Sequence, residues 1–427
     1  MRELGAVAST YRETVYRQGF SGRTSIPVDE LLGFARLCCE FLTHSIGGAR
    51  RPDGLYHAYN VLVPGPDGGF GIEHLYEMLE GQVAVLSAGT LTPGEAGDVL
   101  AALSRSRMYR ADQRSYLLYP DRRLPGFLEK NVIPAKEIRS SALLSRLVAS
   151  GDLRVLHRDA QGKYRFNEEL TNGDRCREAL LAHKGAAFPE LRDSEIEQVL
   201  EIYERVFHHR AFTGRSGTMF AYEGLGSIYW HMVGKLLVVA QECFLEAVDA
   251  GADAGVRRRL ADRYHSIRAG IGGLGKPPAV YGAFPIDPYS HTPAHAGAKQ
   301  PGMTGQVKEE VVSRLGELGV RVREGRIKFR PLLLRRSEFL GSKADFEPFD
   351  LRGERRSIQL PPGTLAFTYC QVPVVYHLSD TQRIVCTASD GTTSEVEGDA
   401  LDRETSASVF ERRGRISRID VFTSPGC

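Results

Sequence analysis

The chain has no run of about 18 apolar residues, the length a membrane-spanning helix needs, so no span is expected. It has no excess charge of one sign. Its 55 lysines and arginines stand against 53 acids, a formal +2, which gives no bulk reason to expect nucleic acid or an anionic membrane as partner. The first residues, M-R-E-L-G-A-V-A-S-T, carry no long apolar core, so no secretory signal is expected. Cysteines number seven, an odd count, and none form a C-x-x-C pair. Neither a zinc site nor a disulfide framework is indicated, and a reducing, cytoplasmic compartment is expected. No internal repeat or low-complexity segment stands out.

What is present is ordinary in bulk. A hydrophobic content of 42% and a charged content of 25% fit a soluble globular protein. A length of 427 residues exceeds what one core serves, so two domains are expected.

The stretch from Phe212 to Cys243 organises the chain. Its first half is a glycine-rich polar loop with Gly214, Gly217, Gly224 and Gly226 among an arginine, an acid and hydroxyls. From about Ser227 it is apolar nearly all round, which predicts a helix buried in a large core with His231 in its first turns. Backbone N–H groups at such a helix start suit an anion. A histidine there is equally well read as a packed core residue.

In chain order, residues 1–25 are polar and mixed and read as a leader. Pro27 opens a helix whose apolar residues recur at helical spacing up to Gly47-Gly48. Residues 49–72 and 107–134 are long loops that interleave Tyr, His, Asn, Asp and Arg, either solvated surface or a rim for sugars. Helices are predicted over 73–86, 95–106, 135–150, 194–208, 256–267 and 306–318, with Ser194 as N-cap and Glu197 at capping-box spacing. A hairpin is predicted around Asp159-Ala160-Gln161-Gly162, and 270–302 is a third long loop. Beyond Gly319 the period changes to two, which predicts strands and a small all-β domain.

Helices alternating with long loops suit an α/α toroid, whose inner helices are buried and outer ones amphipathic. The element Y-E-G-L-G-S-I-Y-W-H-M resembles the E-N-G-G-Q-Y-T-H-A element of the inverting glycoside phosphorylases, the cellobiose and chitobiose phosphorylase family. D-P-Y-S-H-T-P-A-H-A-G-A-K-Q-P-G-M-T-G-Q-V resembles the family stretch that carries Pro-Pro-His-x-Gly before a Thr-Gly opening a late helix. Glu223, His231, His295 and Thr304-Gly305 follow in the family's order, and the resemblance covers roughly residues 50–330.

The resemblance implies that His231, Thr304 and Gly305 bind the attacking phosphate, a cradle of imidazole, hydroxyl and backbone N–H. It implies inorganic phosphate as co-substrate with no other cofactor and no metal. Tyr56, Arg215, Tyr222, Glu223 and His295 are the residues expected to contact the oligosaccharide.

Two departures stand out. The family's acid motif D-W-N-D is absent; D-G-L-Y-H-A-Y-N from Asp53 stands in its place, which leaves Asp53, Glu73 and Asp112 as candidate general acids, each also readable as a cap or surface acid. Some 320 residues with three long loops yield eight or nine helices where the family has twelve. An incomplete toroid is therefore expected, either the C-terminal half of a larger enzyme or a reduced relative, with a homo-oligomer or a separate N-terminal half as its complement.

The expectation is a leader over 1–25, a catalytic-type α/α toroid over 26–319 and a β-sandwich over 320–427. Its function is transfer of a glucosyl unit from a β-linked oligosaccharide to phosphate. The alternatives are a non-catalytic carbohydrate-binding toroid and a hydrolase, which needs two carboxylates about 6.5–9.5 Å apart.

Overall fold

The computed structural model describes residues 2–58, 60–65, 69–74, 77–120, 125–184, 188–208, 227–271, 276, 291–293 and 306–426. The candidates Arg215, Tyr222, Glu223, His295, Thr304 and Gly305 lie outside them.

Two compact units divide after Arg50, Met1–Arg50 and Arg51–Cys427, so the boundary falls beyond the expected residue 25. The first unit holds α1 (Arg2–Gln18) and α2 (Val28–Gly48). The leader is thus largely helical. Pro27 is the N-cap of α2, with Asp29 and Glu30 favourably placed in its first turn.

In the second unit, the expected helix over 73–86 begins later. β1 (Val61–Pro64) and β2 (Phe70–Glu73) form an antiparallel ribbon, and α3 (Leu79–Ser87) follows. α4 (Pro93–Arg105) starts on a complete capping box: Glu95 N–H donates to Thr92 Oγ1 at 3.3 Å, and Thr92 N–H to Glu95 Oε2 at 2.9 Å. β3 (Tyr109–Arg110) and β4 (Ser115–Tyr116) make a short pair inside the second long loop.

Residues 127–207 build a body with a core of its own. It contains α5 (Phe127–Lys130), α6 (Ala135–Ser140), α7 (Ala142–Ser150), the hairpin of β5 (Leu156–Arg158) and β6 (Tyr164–Phe166), α8 (Gly173–Lys184) and α9 (Asp193–Phe207). Leu143, Leu144, Leu147, Phe166, Val199, Ile202 and Tyr203 bury one another in a cluster whose buried members run only from Ile133 to Phe207. The predicted single helix over 135–150 is two, because Ser141 stops α6 and caps α7 by accepting from Leu144 N–H at 3.3 Å. α9 starts before Ser194: its N-cap is Arg192, whose N–H donates to Glu195 Oε2 at 3.1 Å.

The helical layer centres on α10 (Trp230–Asp249), entered from β7 (Ser227–Tyr229). Ser227 therefore opens a strand where a helix was expected. α3, α4, α11 (Ala254–Gly270) and α12 (Gln306–Glu317) all pack on α10. Leu236, Leu237, Ala240 and Ala247 are fully buried there. At about 25 cal/mol per Å2 of apolar area, each leucine contributes roughly 1.5–3 kcal/mol. A buried polar network ties three of these helices: Gln241 Nε2 donates to Ser313 O at 2.8 Å and to the Tyr264 hydroxyl at 3.3 Å, and that hydroxyl donates to Glu317 Oε1 at 2.7 Å.

Strands take over at β9 (Val320–Arg323), which pairs with β10 (Arg326–Phe329). Gly319 makes the turn between the layers: its φ is +72°, and an added Cβ would stand 2.1 Å from the Arg330 carbonyl carbon. β11 (Ala344–Phe346) pairs with β12 (Ile358–Leu360). β13 (Thr364–Tyr369), β14 (Val372–Leu378), β15 (Arg383–Ala388), β16 (Thr393–Glu397) and, after α13 (Arg403–Phe410), β17 (Ile416–Thr423) form one five-stranded sheet in the order β13-β14-β17-β15-β16. β14 and β17 run parallel and the other neighbours antiparallel. One face of this sheet buries Val374, Tyr376, Ile384, Ile419 and Val421 with Ile327 and Phe329 of β10 and Val409 of α13. The C-terminal region is thus mostly strand, but α13 and the parallel pair depart from the expected all-β pattern.

Among the described residues no helix is long and apolar enough to cross a membrane.

Candidate functional site at the start of α10

β7 runs straight into α10, so whatever β7 pairs with is brought to the helix start. Its partner is β8 (His291–Pro293), with Tyr229 opposite His291. β4 of the second long loop lies against β7. Trp230, fully buried, is the first residue of α10, and Lys276 Nζ stands 5.1 Å from its ring centre. Lys276 also donates to Gln113 Oε1 at 3.1 Å. Described parts of the loops 107–134 and 270–305 therefore meet beside β7.

The histidine follows in the same turn. His231 Nε2 lies 3.6 Å from Glu309 Oε1, in the first turn of α12, and both side chains are mostly buried at 19% and 14% exposure. The Tyr229 hydroxyl lies 3.4 Å from His231 Nδ1. The first turns of α10 and α12 thus adjoin, and Thr304-Gly305 immediately precedes α12 in sequence. Glu309 also borders a cleft of about 320 Å3, whose other charged groups are Glu80 of α3 and Lys235 of α10. That volume is at the small end for a ligand pocket. Two acids and an amine line this small volume, and the His231 imidazole stands against one of those acids, Glu309; such groups provide hydrogen bonds suited to a polyhydroxylated or anionic ligand.

Burial sets the electrostatics. It pushes the Lys276 ammonium down to about 8, with Arg114 adding to the effect and Asp112 opposing it. Glu242, on the same helix, has its carboxyl pushed up by burial first, then by Glu246 and Glu309.

The three candidate acids separate in space and in chemistry. Asp53 is exposed and gripped by Arg51, Nε to Oδ1 at 3.1 Å and a terminal nitrogen to Oδ2 at 2.9 Å. Those hydrogen bonds hold its carboxyl below the usual range against burial. Asp53 lines a different cleft, of about 590 Å3, with Arg105 and Arg107. Asp112 repeats the pattern two residues after Arg110: burial would raise its carboxyl, but the hydrogen bonds and charge of Arg110 lower it. A general acid must hold a proton at working pH, so neither environment favours that role. Glu73 is exposed at the end of β2, opposite Val61. Of the three, only Asp112 acts on Lys276 at the α10 start.

Tyr56 is placed differently from the expectation. It is 4% exposed, and its backbone is held on both sides by buried Gln82: Tyr56 N–H donates to Gln82 Oε1 and Gln82 Nε2 to Tyr56 O, each at 2.9 Å. Its ring is core and cannot stack on a sugar from solvent. Glu309, Lys276, Glu80 and Glu242 were not singled out from the sequence. The signal for Glu309 was its distance of one turn past Thr304-Gly305; for Glu242 it was a Glu242/Glu246 pair four apart on a largely apolar helix.

Residues 124–210 match the family described as GH149 phosphorylase insertion domain 2. These are the residues that build the body with its own core. The match supports a relation to glycoside phosphorylases. No curated protein matches the chain.

Proposed function

We propose that the chain is a carbohydrate-active, glycoside phosphorylase-like protein that transfers a glucosyl unit from a β-linked oligosaccharide to inorganic phosphate, alone or as the C-terminal part of a larger enzyme. The match of residues 124–210 to a phosphorylase insertion domain carries this reading. The adjoining first turns of α10 and α12 support it, because they bring His231 to the helix that Thr304-Gly305 precedes. In this reading α3, α4 and α10 to α12 are one arc of an α/α toroid, and the region beyond Gly319 is an accessory domain.

The step balances as a single displacement. A phosphate oxygen forms the bond to the anomeric carbon while the bond to the leaving sugar oxygen breaks. A carboxylic acid gives that oxygen its proton, and anomeric configuration inverts. Phosphate is itself the nucleophile and ends bound to the anomeric carbon as the sugar 1-phosphate, so no carboxylate base is required. His231, Thr304 and Gly305 would hold it. Asp112, Asp53 and Glu73 remain the candidate acids, with Asp112 nearest the α10 start in its effects.

A second reading is a carbohydrate-binding toroid without turnover. The arginine grip on both Asp53 and Asp112 favours it. The deciding experiment incubates the protein with a panel of β-glucosyl oligosaccharides, with and without phosphate. Sugar 1-phosphate formed only with phosphate supports the first reading. Phosphate-independent release of reducing sugar identifies a hydrolase, and binding without turnover supports the second reading.

A further inference from the structure

A larger cleft, of about 790 Å3, lies between α11 and the segment that follows β10. Arg257 and Arg258 contribute from the first turns of α11, and Arg330, Arg335 and Arg336 from the facing segment. Phe244, Val248, Ala261 and Leu332 supply apolar lining. The balance of charge is one-sided. Among the described residues Asp262 is the one acid lining the cleft against five arginines, in a chain whose formal net charge is +2.

Elsewhere the chain pairs its arginines with carboxylates, as in Arg165–Asp159 at 2.6 Å, Arg268–Glu317 at 3.2 Å and Arg321–Asp249 at 2.9 Å. Among the described residues none of the five cleft arginines has such a partner. The nearby Glu338 is already engaged by Arg314 at 2.8 Å. Two buried polar atoms lining the cleft lack a hydrogen-bond partner among the described residues, Arg257 Nε of one of these five arginines and His265 Nε2. Burial first, and then the charge of Arg335, hold the His265 imidazole below its usual value, so the histidine does not add to the repulsion by taking a proton. Clustered unpaired guanidinium groups repel one another, and planar donors match phosphate oxygens two at a time.

We propose that this cleft is a binding site for a small molecule carrying two or more linked phosphate groups. The net lining charge of a few units suits such an anion better than a single phosphate. The apolar floor leaves room for an attached group. The site is separate from the expected phosphate subsite. Phe244 and Val248 line it, and at about 1.5 Å of rise per residue the path along α10 from His231 to Phe244 is roughly 20 Å. It is therefore placed for an effector or an anchor, and does not depend on the reaction proposed above.

The test is thermal shift and calorimetry on the full chain with tripolyphosphate, ATP and, at matched ionic strength, sulfate. Tripolyphosphate or ATP is expected to bind and raise the melting temperature well above sulfate. Binding of both identifies bare polyphosphate recognition, and of ATP alone a nucleotide. The double variant Arg335→Gln/Arg336→Gln, both exposed, is expected to weaken binding at least tenfold with circular dichroism unchanged. Arg257→Gln provides an independent arm from the other wall. His231→Ala is expected to leave this binding as it is. Equal stabilisation by sulfate, unchanged affinity in the arginine variants, or loss of binding in His231→Ala would each overturn the proposal.

Discussion

His231 of α10 faces Glu309 of α12 across 3.6 Å, each in the first turn of its helix. The same two helices are fastened further along by Gln241 and Ser313 at 2.8 Å, so their relative placement is held at both points. A mostly buried imidazole and carboxylate at this separation stabilise each other only while both are present. His231→Ala and Glu309→Gln are therefore expected to be non-additive in thermal stability, with a coupling of about 0.5–3 kcal/mol. A cycle that closes additively would show the pair to be mere neighbours. If the phosphate role also holds, His231→Ala should reduce phosphate-dependent turnover by the loss of one charge-assisted hydrogen bond, on the order of 1.5–3 kcal/mol.

Gly316 is where α12 comes close enough to α10 for Gln241 to reach Ser313. A Cβ added at Gly316 would stand 1.9 Å from Gln241 Oε1 and 2.3 Å from its Cδ. Gln241 cannot swing aside without abandoning Ser313 and Tyr264. Alanine gains about 0.8–1 kcal/mol of helix propensity over glycine, but overpacking costs about 1–3 kcal/mol. Gly316→Ala is expected to lower the melting temperature, and Gln241→Ala in the same chain to recover part of the loss. A rise in melting temperature for the single variant would show the helices free to part.

The body spanning 127–207 should respond to acid through Asp152. Arg154 donates to this carboxylate at 3.0 Å, and His183 Nε2 lies 2.9 Å from it. The Arg154 hydrogen bonds, with those of the Arg154 backbone and His183, outweigh burial and hold the carboxyl well below its usual range. A depressed carboxyl contributes stability that is complete above its unfolded value of about 3.9 and is lost as pH falls below it, because only the unfolded chain then takes the proton readily. Asp152→Asn is expected to destabilise this body at pH 7, and the gap to the wild type should narrow below about pH 4. Proteolysis of the Leu153–Arg158 region against pH would read it; a gap independent of pH would exclude the carboxylate as its source.

The sequence revealed elements whose signals are local. The Thr92-Pro93-Gly94-Glu95 start of α4 and the turn after Asp159 are short and chemically explicit, and both form where expected. β7 was misread because an apolar run of aromatic and β-branched residues looks alike as buried strand and buried helix. The 127–207 body was folded into one expected domain because its helices share the composition of their neighbours; only contacts between distant residues such as Phe166 and Tyr203, 5.0 Å between ring centres, reveal its separate core. Tyr56 looked like a rim aromatic because nothing local predicts that Gln82 will seal its backbone inside. Lys276 was invisible for the same reason, since its environment comes from Trp230 and Gln113.

Lys276 also yields a prediction at the alkaline end. Its ordinary value is 10.5, and burial, joined by Arg114, pushes it down to about 8. Between about 8 and 10.5 the unfolded chain keeps a proton that the folded chain has released. Stability rises with pH where the unfolded state binds more protons, so this group favours the folded form increasingly across that window. At pH 7 the buried ammonium is a net burden, relieved in part by Gln113 and the Trp230 ring. Lys276→Met removes the titration while keeping a long apolar stem. Urea unfolding at pH 7, 8.5 and 10 is expected to show the wild type gaining on the variant at each step. Parallel pH profiles for the two proteins would mean that the amine is solvated, and would remove Lys276 from the charged groups at the start of α10.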